Sequence, residues 1–272
     1  MKECLTSDNR MLVYGILKPY INILAFSTTR HGGVGEGTYA TFNCTHYCGD
    51  RPETVKANLE IVKAILKNAK ANPDKCADVL VIPRQTHTTN VRIVTDVPTE
   101  EELHEVDAVV TNLKGFCLCV STADCVPILI YDPVRQVIAA VHAGWRGTVG
   151  RIVERTLETM KSHFGTEGKD VVACIGPSIS LESFEVGDEV YAAFEEAGFD
   201  MTRIAKRYEK WHLDLWEANR MQLLAHGVLS ENIEVAGVCT YQHYEDFFSA
   251  RRLGIQSGRI LSGIQICHSE EL

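Results

Sequence analysis

VPILIYDPVRQVIAAVH, residues 126–142, reads as two apolar runs joined by a turn at DPVR. Runs rich in Val, Ile and Leu on either side of an Asp-Pro turn form a β-hairpin. A turn symmetric about Asp132–Arg135 places Cys125 opposite His142. Opposed residues have Cβ atoms ~4.5 to 5.5 Å apart, close enough for thiolate and imidazole to share a metal or to work as nucleophile and base. Pro127 is tolerated only near a strand start or on an edge, which puts Cys125 at the open end of the hairpin.

Similar β-rich runs lie on both sides: VLVIP (79–83), VRIVTD (91–96), AVVTN (108–112), FCLCVST (116–122), VVACIG (171–176) and IEVAGVC (233–239). No helical pattern interrupts the chain from Val106 to His142, which predicts antiparallel hairpins instead of a strict βαβ alternation. Four segments have helical periodicity. They run from about Arg51 to Asn68 with Asp50 as N-cap and Glu53 completing a capping box, from Thr148 to Gly165, from Asp188 to Ala197, and from Asp214 to His226 with Gly227 as left-handed cap. The expected fold class is mixed α/β, with sheet packed on sheet and helices outside. No Pro/Gly/Ser-rich linker, low-complexity segment or repeat divides residues 1–272, so one domain is expected.

The 272 residues are 45% apolar, 8% aromatic and 23% charged, an ordinary globular composition. Lys and Arg number 27 against 36 Asp and Glu, a net charge of −9, and no run of five or more like charges appears; a nucleic-acid or anionic-membrane surface has no electrostatic footprint. The expected partner is a small molecule and the expected state a monomer. No apolar run approaches the ~18 residues of a membrane span, and MKECLTSDNRMLVYG contains no signal-peptide core, so a cytoplasmic protein is expected. The ten cysteines include no CxxC pair, so a metal site must be assembled from distant segments. Cys117, Cys119, Cys174, Cys239 and Cys267 lie in apolar runs and are read as core residues.

A third ligand joins Cys125 and His142. RQTHTTNV (84–91) is a polar string between two β-like runs, and packing gives no reason for its His87. Two His and one Cys make three protein ligands, the number that leaves zinc an open catalytic position, where a structural zinc takes four. Such a metal acts as a Lewis acid or brings the pKa of bound water towards ~7. His31, His46, His104, His163, His212, His226, His243 and His268 are read as surface or hydrogen-bonded, with His163 and His226 suited to helix C-termini. Two glycine-bearing loops carry further polar groups. AGWRGT (143–148) offers Arg146 ahead of a helix N-terminus, an arrangement suited to phosphate, and TTRHGGVGEGTYATFN (28–43) carries Arg30, His31 and Asn43 towards a ligand.

RQTH (84–87), VDAVVT (106–111), TADCVPIL (122–129), HAGWRGT (142–148), IGPSIS with FEVGDEV (175–190), LDLWEANR (213–220) and RRLGIQSGR (251–259) resemble the laccase-domain family over about residues 27–258. Its members have been called multicopper polyphenol oxidoreductases, peptidoglycan editing factors and zinc-dependent purine nucleoside phosphorylases with adenosine deaminase activity. The resemblance implies two packed β-sheets with helices on both outer faces, similar to the catalytic domain of cytotoxic necrotizing factor toxins. It implies that His87, Cys125 and His142 hold a catalytic zinc. It also implies phosphorolysis of adenosine, inosine, guanosine and methylthioadenosine, and deamination of adenosine. Arg30, Asn43, Arg84 and Arg146 fall on polar motif positions and are taken as phosphate or nucleoside contacts. The chain departs from the family pattern at Cys44, Cys48, Ser178, Ser180, Ala250 and Leu253, which bears on substrate preference but leaves the three ligands untouched. Asp124 beside Cys125 is either a proton shuttle or a residue that orients the loop. Three other activities remain open: a metal-free Cys–His amide hydrolase, a cell-wall precursor editing enzyme, and, ranked last, a copper polyphenol oxidase, whose blue-copper-type site would want an axial Met that none of the three ligand segments contains.

Overall fold

The computed structural model describes residues 10–68 and 79–267. Its strands are β1 (Met11–Val13), β2 (Ile23–Thr28), β3 (Val79–Val81), β4 (Val91–Ile93), β5 (Ala108–Thr111), β6 (Phe116–Thr122), β7 (Val126–Asp132), β8 (Val137–Ala143), β9 (Val172–Ile175), β10 (Glu185–Val186), β11 (Ala205–Arg207), β12 (Trp211–Leu213), β13 (Ile233–Val235) and β14 (Ile260–Ile266). The helices are α1 (Pro52–Asn68), α2 (Trp145–Val149), α3 (Ile152–Phe164), α4 (Asp188–Glu196), α5 (Met201–Ile204), α6 (Leu215–Ala225) and α7 (Ala250–Leu253). A five-stranded sheet has the order β1-β2-β14-β6-β3, a six-stranded sheet the order β13-β9-β7-β8-β5-β4, and a small third sheet the order β10-β12-β11.

The side-chain period of two sorts residues into layers. Along β6, Leu118 and Val120 point between the two large sheets, where they meet Val109, Leu129, Ile138 and Ala140. Cys117 and Cys119 point the other way, onto Val62 and Leu66 of α1. In the six-stranded sheet Ile128, Ile130, Ala139 and Val141 face outward against Val153, Leu157 and Met160 of α3 and Ala218 and Leu223 of α6. The result is a mixed α/β fold of four layers, helix, sheet, sheet and helices. Both faces of β7 and β8 are covered, as their unbroken apolar runs require. The five cysteines read as core residues are all buried.

The β7–β8 hairpin forms, but its register differs from the symmetric one. Asp132 pairs with Val137, so the turn holds four residues and Pro127, not Cys125, stands opposite His142. Asp132 Oδ1 accepts from the amides of Val134 (2.9 Å) and Arg135 (3.0 Å), and Gln136 takes φ 54°, which together close the longer loop. The shift moves the partner by two residues and therefore keeps it on the same face. The expected succession of hairpins from Val106 to His142 is also corrected. β5 and β7 both pair antiparallel with β8, whereas β6 belongs to the other sheet, between β14 and β3. TADC (122–125) is consequently the crossing from one sheet to the other.

Helix boundaries show two further differences. α1 starts at Pro52, a residue pre-set for the first helical turn, and the Asp50 carboxylate accepts from Arg51 N (2.8 Å) and Asn43 Nδ2 (2.9 Å), in place of the expected capping box. The helix expected from Thr148 to Gly165 is two: α2 ends at Val149 with Gly150 as C-cap, Arg151 takes φ 63°, and α3 follows, capped by the left-handed Gly165. Tight contact with the 88–89 segment leaves room only for glycine at this junction, since a Cβ on Gly150 would stand 2.5 Å from Thr89 Cγ2. Asp214 caps α6 through Glu217 N (2.9 Å), and Gly227 follows its end with φ 82°. β1, β2, the small sheet and β14 were not anticipated. No helix among the described residues is long and apolar enough to cross a membrane.

Candidate metal centre

His142 stands at the end of β8, on the face turned between the two large sheets, and is 3% exposed. β5 lies beside it in a register that pairs Ala108 with Val141, so the residue across from His142 on that side is Asp107. Asp107 is fully buried. His142 Nδ1 lies 2.7 Å from Asp107 Oδ1, and the His142 amide donates to the Asp107 carbonyl at 2.7 Å. Asp107 accepting from Nδ1 directs His142 Nε2 towards the other ligands, so that Nε2 would be the nitrogen offered to a metal once its proton is displaced.

The same carboxylate builds the His87 loop. It accepts from the amides of Thr86 (3.3 Å), His87 (3.0 Å) and Thr88 (2.8 Å) and from Thr88 Oγ1 (2.7 Å). Three consecutive amides converging on one anion force a sharp turn, and His87 adopts φ 64°, an uncommon conformation for a residue with a Cβ. Burial by itself would raise the Asp107 carboxyl, but hydrogen bonds and charge from His142 and hydrogen bonds from Thr88 outweigh it and hold it below the usual range.

Cys125 follows Asp124, which has φ 86°. Asp124 Oδ1 accepts from Thr240 Oγ1 and Oδ2 from the Arg251 amide, both at 2.7 Å, while its carbonyl accepts from Ile179 N at 3.0 Å. Both carboxylate oxygens are therefore engaged in tying three segments together behind Cys125, the loop-orienting alternative for this residue. Cys125 Sγ lies 3.7 Å from His87 Nε2, and one ligand atom from each of His87, Cys125 and His142 lies within 4.8 Å of the others. The two imidazole rings meet edge to face with centroids 4.9 Å apart. Gly144 completes the space: a Cβ there would stand 2.8 Å from His87 Cδ2 and 3.1 Å from Cys125 Sγ.

The electrostatics favour a thiolate. Burial would raise the Cys125 thiol, but the charge and hydrogen bond of His142, joined by His87, bring it down to about 6. Burial would likewise lower His142, and the Cys125 thiolate with the Asp107 hydrogen bond instead raises it to about 9. In the metal-free state His142 is therefore a cation paired with the thiolate, and a metal would displace its Nε2 proton. A thiolate and two imidazoles aimed at a common point are then the donor set of a three-ligand metal site. Among the described residues this is the one group of three or more His, Cys, Asp or Glu so arranged. The seven described histidines read as surface or hydrogen-bonded stay outside it, and His268 lies outside the described residues.

The four polar contacts expected from the motifs divide into two pairs. Arg84 and Arg146 are exposed, the latter stacked 4.3 Å over the Trp145 ring. Arg84 lies three residues before His87 and Arg146 four after His142. Arg30 instead donates to the carbonyls of Ala40 (2.8 Å) and Tyr244 (2.7 Å), and Asn43 is fully buried, donating to Asp50 and accepting from the amides of Thr45 (3.3 Å) and Arg259 (3.0 Å). The sequence reading passed over Asp107, although VDAVVT was among the motifs. Its signal was an acidic residue opening an otherwise apolar strand.

Residues 24–267 match the family described as multi-copper polyphenol oxidoreductase laccase. The chain belongs to that family. Within it, a purine nucleoside phosphorylase of Bacteroides thetaiotaomicron is 56% identical over 272 residues, covering 96% of this chain and 98% of its own. The adenosine deaminase RL5, from an unknown prokaryotic organism, is 42% identical over 251 residues, covering 88% of this chain and 92% of its own. Among solved structures, the hypothetical protein YfiH of Bacillus licheniformis is similar with a TM-score of 0.86 at 28% identity, covering 96% of this chain and 97% of that one. The laccase-type family thus includes relatives named for purine nucleoside chemistry, and this member has a candidate His-Cys-His metal centre.

Proposed function

We propose that this protein is a zinc-dependent purine nucleoside phosphorylase that also deaminates adenosine, with His87, Cys125 and His142 as zinc ligands. The observation that carries the reading is the buried Asp107 carboxylate, which fixes two of the three ligands at once in a chain 56% identical to a purine nucleoside phosphorylase. The cluster fits zinc: one thiolate, two imidazoles, and a glycine where a side chain would intrude. Bound there, zinc would supply Lewis acidity at a fourth, open position.

The remaining roles belong to the chain itself. Asp107 accepts from His142 Nδ1, which orients the ring with Nε2 towards the other ligands, and its bonds to residues 86–88 hold His87 in place. Phosphorolysis needs a positioned anion while the ribose gains cationic character and the purine departs. Arg84 and Arg146, both exposed, supply the charge for that anion, with Arg146 braced on Trp145. Arg30 and Asn43 are assigned to scaffold, because Arg30 Nε and Nη1 and the Asn43 amide are engaged by the chain. The substrates would be adenosine, inosine, guanosine and methylthioadenosine.

The test is product analysis of adenosine incubated with metal-replete protein, with and without phosphate, beside Cys125→Ala. Phosphate-dependent release of free base, together with inosine, both lost in the variant, supports the assignment. Absence of turnover from protein carrying stoichiometric zinc refutes it. The lowered Cys125 thiol beside His142 favours a second reading, a metal-free Cys–His hydrolase. That enzyme would survive exhaustive chelation and be silenced by iodoacetamide, the reverse of what a zinc enzyme does.

A further inference from the structure

The loop from Cys239 to Ser249 and the short helix α7 behind it meet the Cys125 segment through one carboxylate. Asp124, the residue before Cys125, accepts from Thr240 Oγ1 and from the Arg251 amide, both at 2.7 Å. Tyr241 follows the first of these partners and Arg252 the second, so both start from backbone that Asp124 holds. The loop is closed by its own amides, with His243 N donating to Cys239 O and Phe247 N to His243 O, each at 2.9 Å. The buried Ser249 hydroxyl accepts from the Arg252 amide at 3.2 Å.

Arg251 and Arg252 are both exposed. Neither guanidinium has a carboxylate partner among the described residues, whereas Arg51, Arg92, Arg151, Arg203 and Arg220 each have one. Uncharged groups hold the pair instead. Arg252 Cζ lies 5.2 Å from the ring centroid of Tyr241 and 4.6 Å from that of Tyr244, and its Nη1 donates to Tyr241 Oη at 3.4 Å. Arg251 Nη1 donates to the Glu185 carbonyl at 3.0 Å, and its Cζ lies 5.5 Å from the Phe184 ring. The Glu185 carboxylate is itself taken by Lys210 at 2.7 Å.

The tie to Asp124 does not account for an arginine at 251, because it uses the backbone amide, which any residue but proline supplies. A guanidinium carries five N–H donors in a planar fork, and each of these two spends only one nitrogen on the chain. Two adjacent positive charges with donors to spare, in a chain of net charge −9, suit an oxyanion, which a single guanidinium can grip with two parallel bonds. Bracing on aromatic rings removes side-chain freedom in advance, so less is lost when the anion arrives.

We propose that Arg251 and Arg252 form an oxyanion subsite beside the candidate metal centre, and that it takes a phosphate group. Arg84 and Arg146 belong to the segments of His87 and His142, whereas this pair is tied to the segment of Cys125. The phosphate is either the free co-substrate or one carried on the nucleoside, and the chemistry recognised is the same. The subsite goes beyond the purine nucleoside reading and involves no catalytic step, so binding tests it whether or not turnover occurs.

The experiment titrates metal-replete wild type and the double variant Arg251→Ala/Arg252→Ala with inorganic phosphate, adenosine 5′-monophosphate and adenosine at constant ionic strength. Metal content and melting temperature are measured on both proteins and are expected to be equal. The double variant is expected to bind at least one of the two anions about tenfold or more weakly, with uncharged adenosine unaffected. Weakened inorganic phosphate assigns the subsite to the co-substrate, and weakening confined to the monophosphate assigns it to a phosphate on the nucleoside. A smaller change for both anions, an equal weakening of adenosine, or no binding of either anion by the wild type overturns the subsite. Absence of turnover in the wild type refutes the enzymatic reading alone, because these are binding constants.

Discussion

The polar segments 84–91 and 28–43 carry similar side chains, and the difference between them lies in where their hydrogen bonds end. In 84–91 the backbone amides converge on the buried Asp107 carboxylate, so the loop is held from behind and His87 is released towards Cys125. In 28–43 the side chains themselves satisfy the backbone: Arg30 bonds Ala40 O and Tyr244 O, and Asn43 bonds Asp50 and the amides of Thr45 and Arg259. A loop supported by an external carboxylate presents chemistry. A loop supported by its own side chains has those side chains engaged within the chain, which is why its residues are proposed as scaffold.

The largest effect expected from this contrast is at the ligands. Cys125→Ala or His142→Ala is expected to abolish stoichiometric metal binding, measured by elemental analysis after dialysis, because two ligands no longer enclose the ion. Full metal retention in either variant would mean that the cluster is not a metal centre. Next comes the carboxylate behind the loop. Asp107→Asn keeps the shape but loses the charged acceptor for His142 and three amides, and metal affinity by chelator competition is expected to fall about 10- to 100-fold. An unchanged affinity would reduce Asp107 to a turn residue.

The scaffold loop should respond oppositely. Asn43→Ala leaves buried amides without partners and is expected to cost about 1–3 kcal/mol of folding stability in denaturant titration, with metal affinity unchanged. If stability holds and the KM for phosphate rises, the contrast between the loops is broken. The smallest effect is one of pH. In metal-free protein the Cys125 thiol is lowered to about 6, so thiolate accumulates as pH rises through that value and is nearly complete at neutrality. Alkylation by iodoacetamide should be half-maximal at about pH 6. Burial pushes Cys44 up, so it should remain unreactive over the same range.

How far these features could be read without coordinates depends on the range of the interaction behind each. The β7–β8 hairpin, the helices over 52–68 and 215–225 and the core cysteines follow from apolar runs and local caps, which act over a few neighbouring residues. The hairpin register depended on whether the turn held two residues or four, which Asp132 and Gln136 decided together. β10 and β11, of two and three residues, and the edge strand β1 carry too little pattern to stand out from loops.

The sequence by itself pointed to the three candidate ligands, Cys125 and His142 through the hairpin that brings them to one end, His87 because its polar string has no packing reason, and all three through the family motifs. It also determined the mixed α/β class, through continuous apolar strands between amphipathic helices. Only the tertiary structure decided what stands opposite His142. Cross-strand pairing with β5, more than thirty residues away in sequence, puts Asp107 there, and β6 leaves for the other sheet so that TADC bridges the two. Local sequence specifies side-chain chemistry and strand propensity, but the neighbour across a sheet is set by burying many faces at once, and that choice gave His142 a carboxylate behind it and Cys125 an open edge.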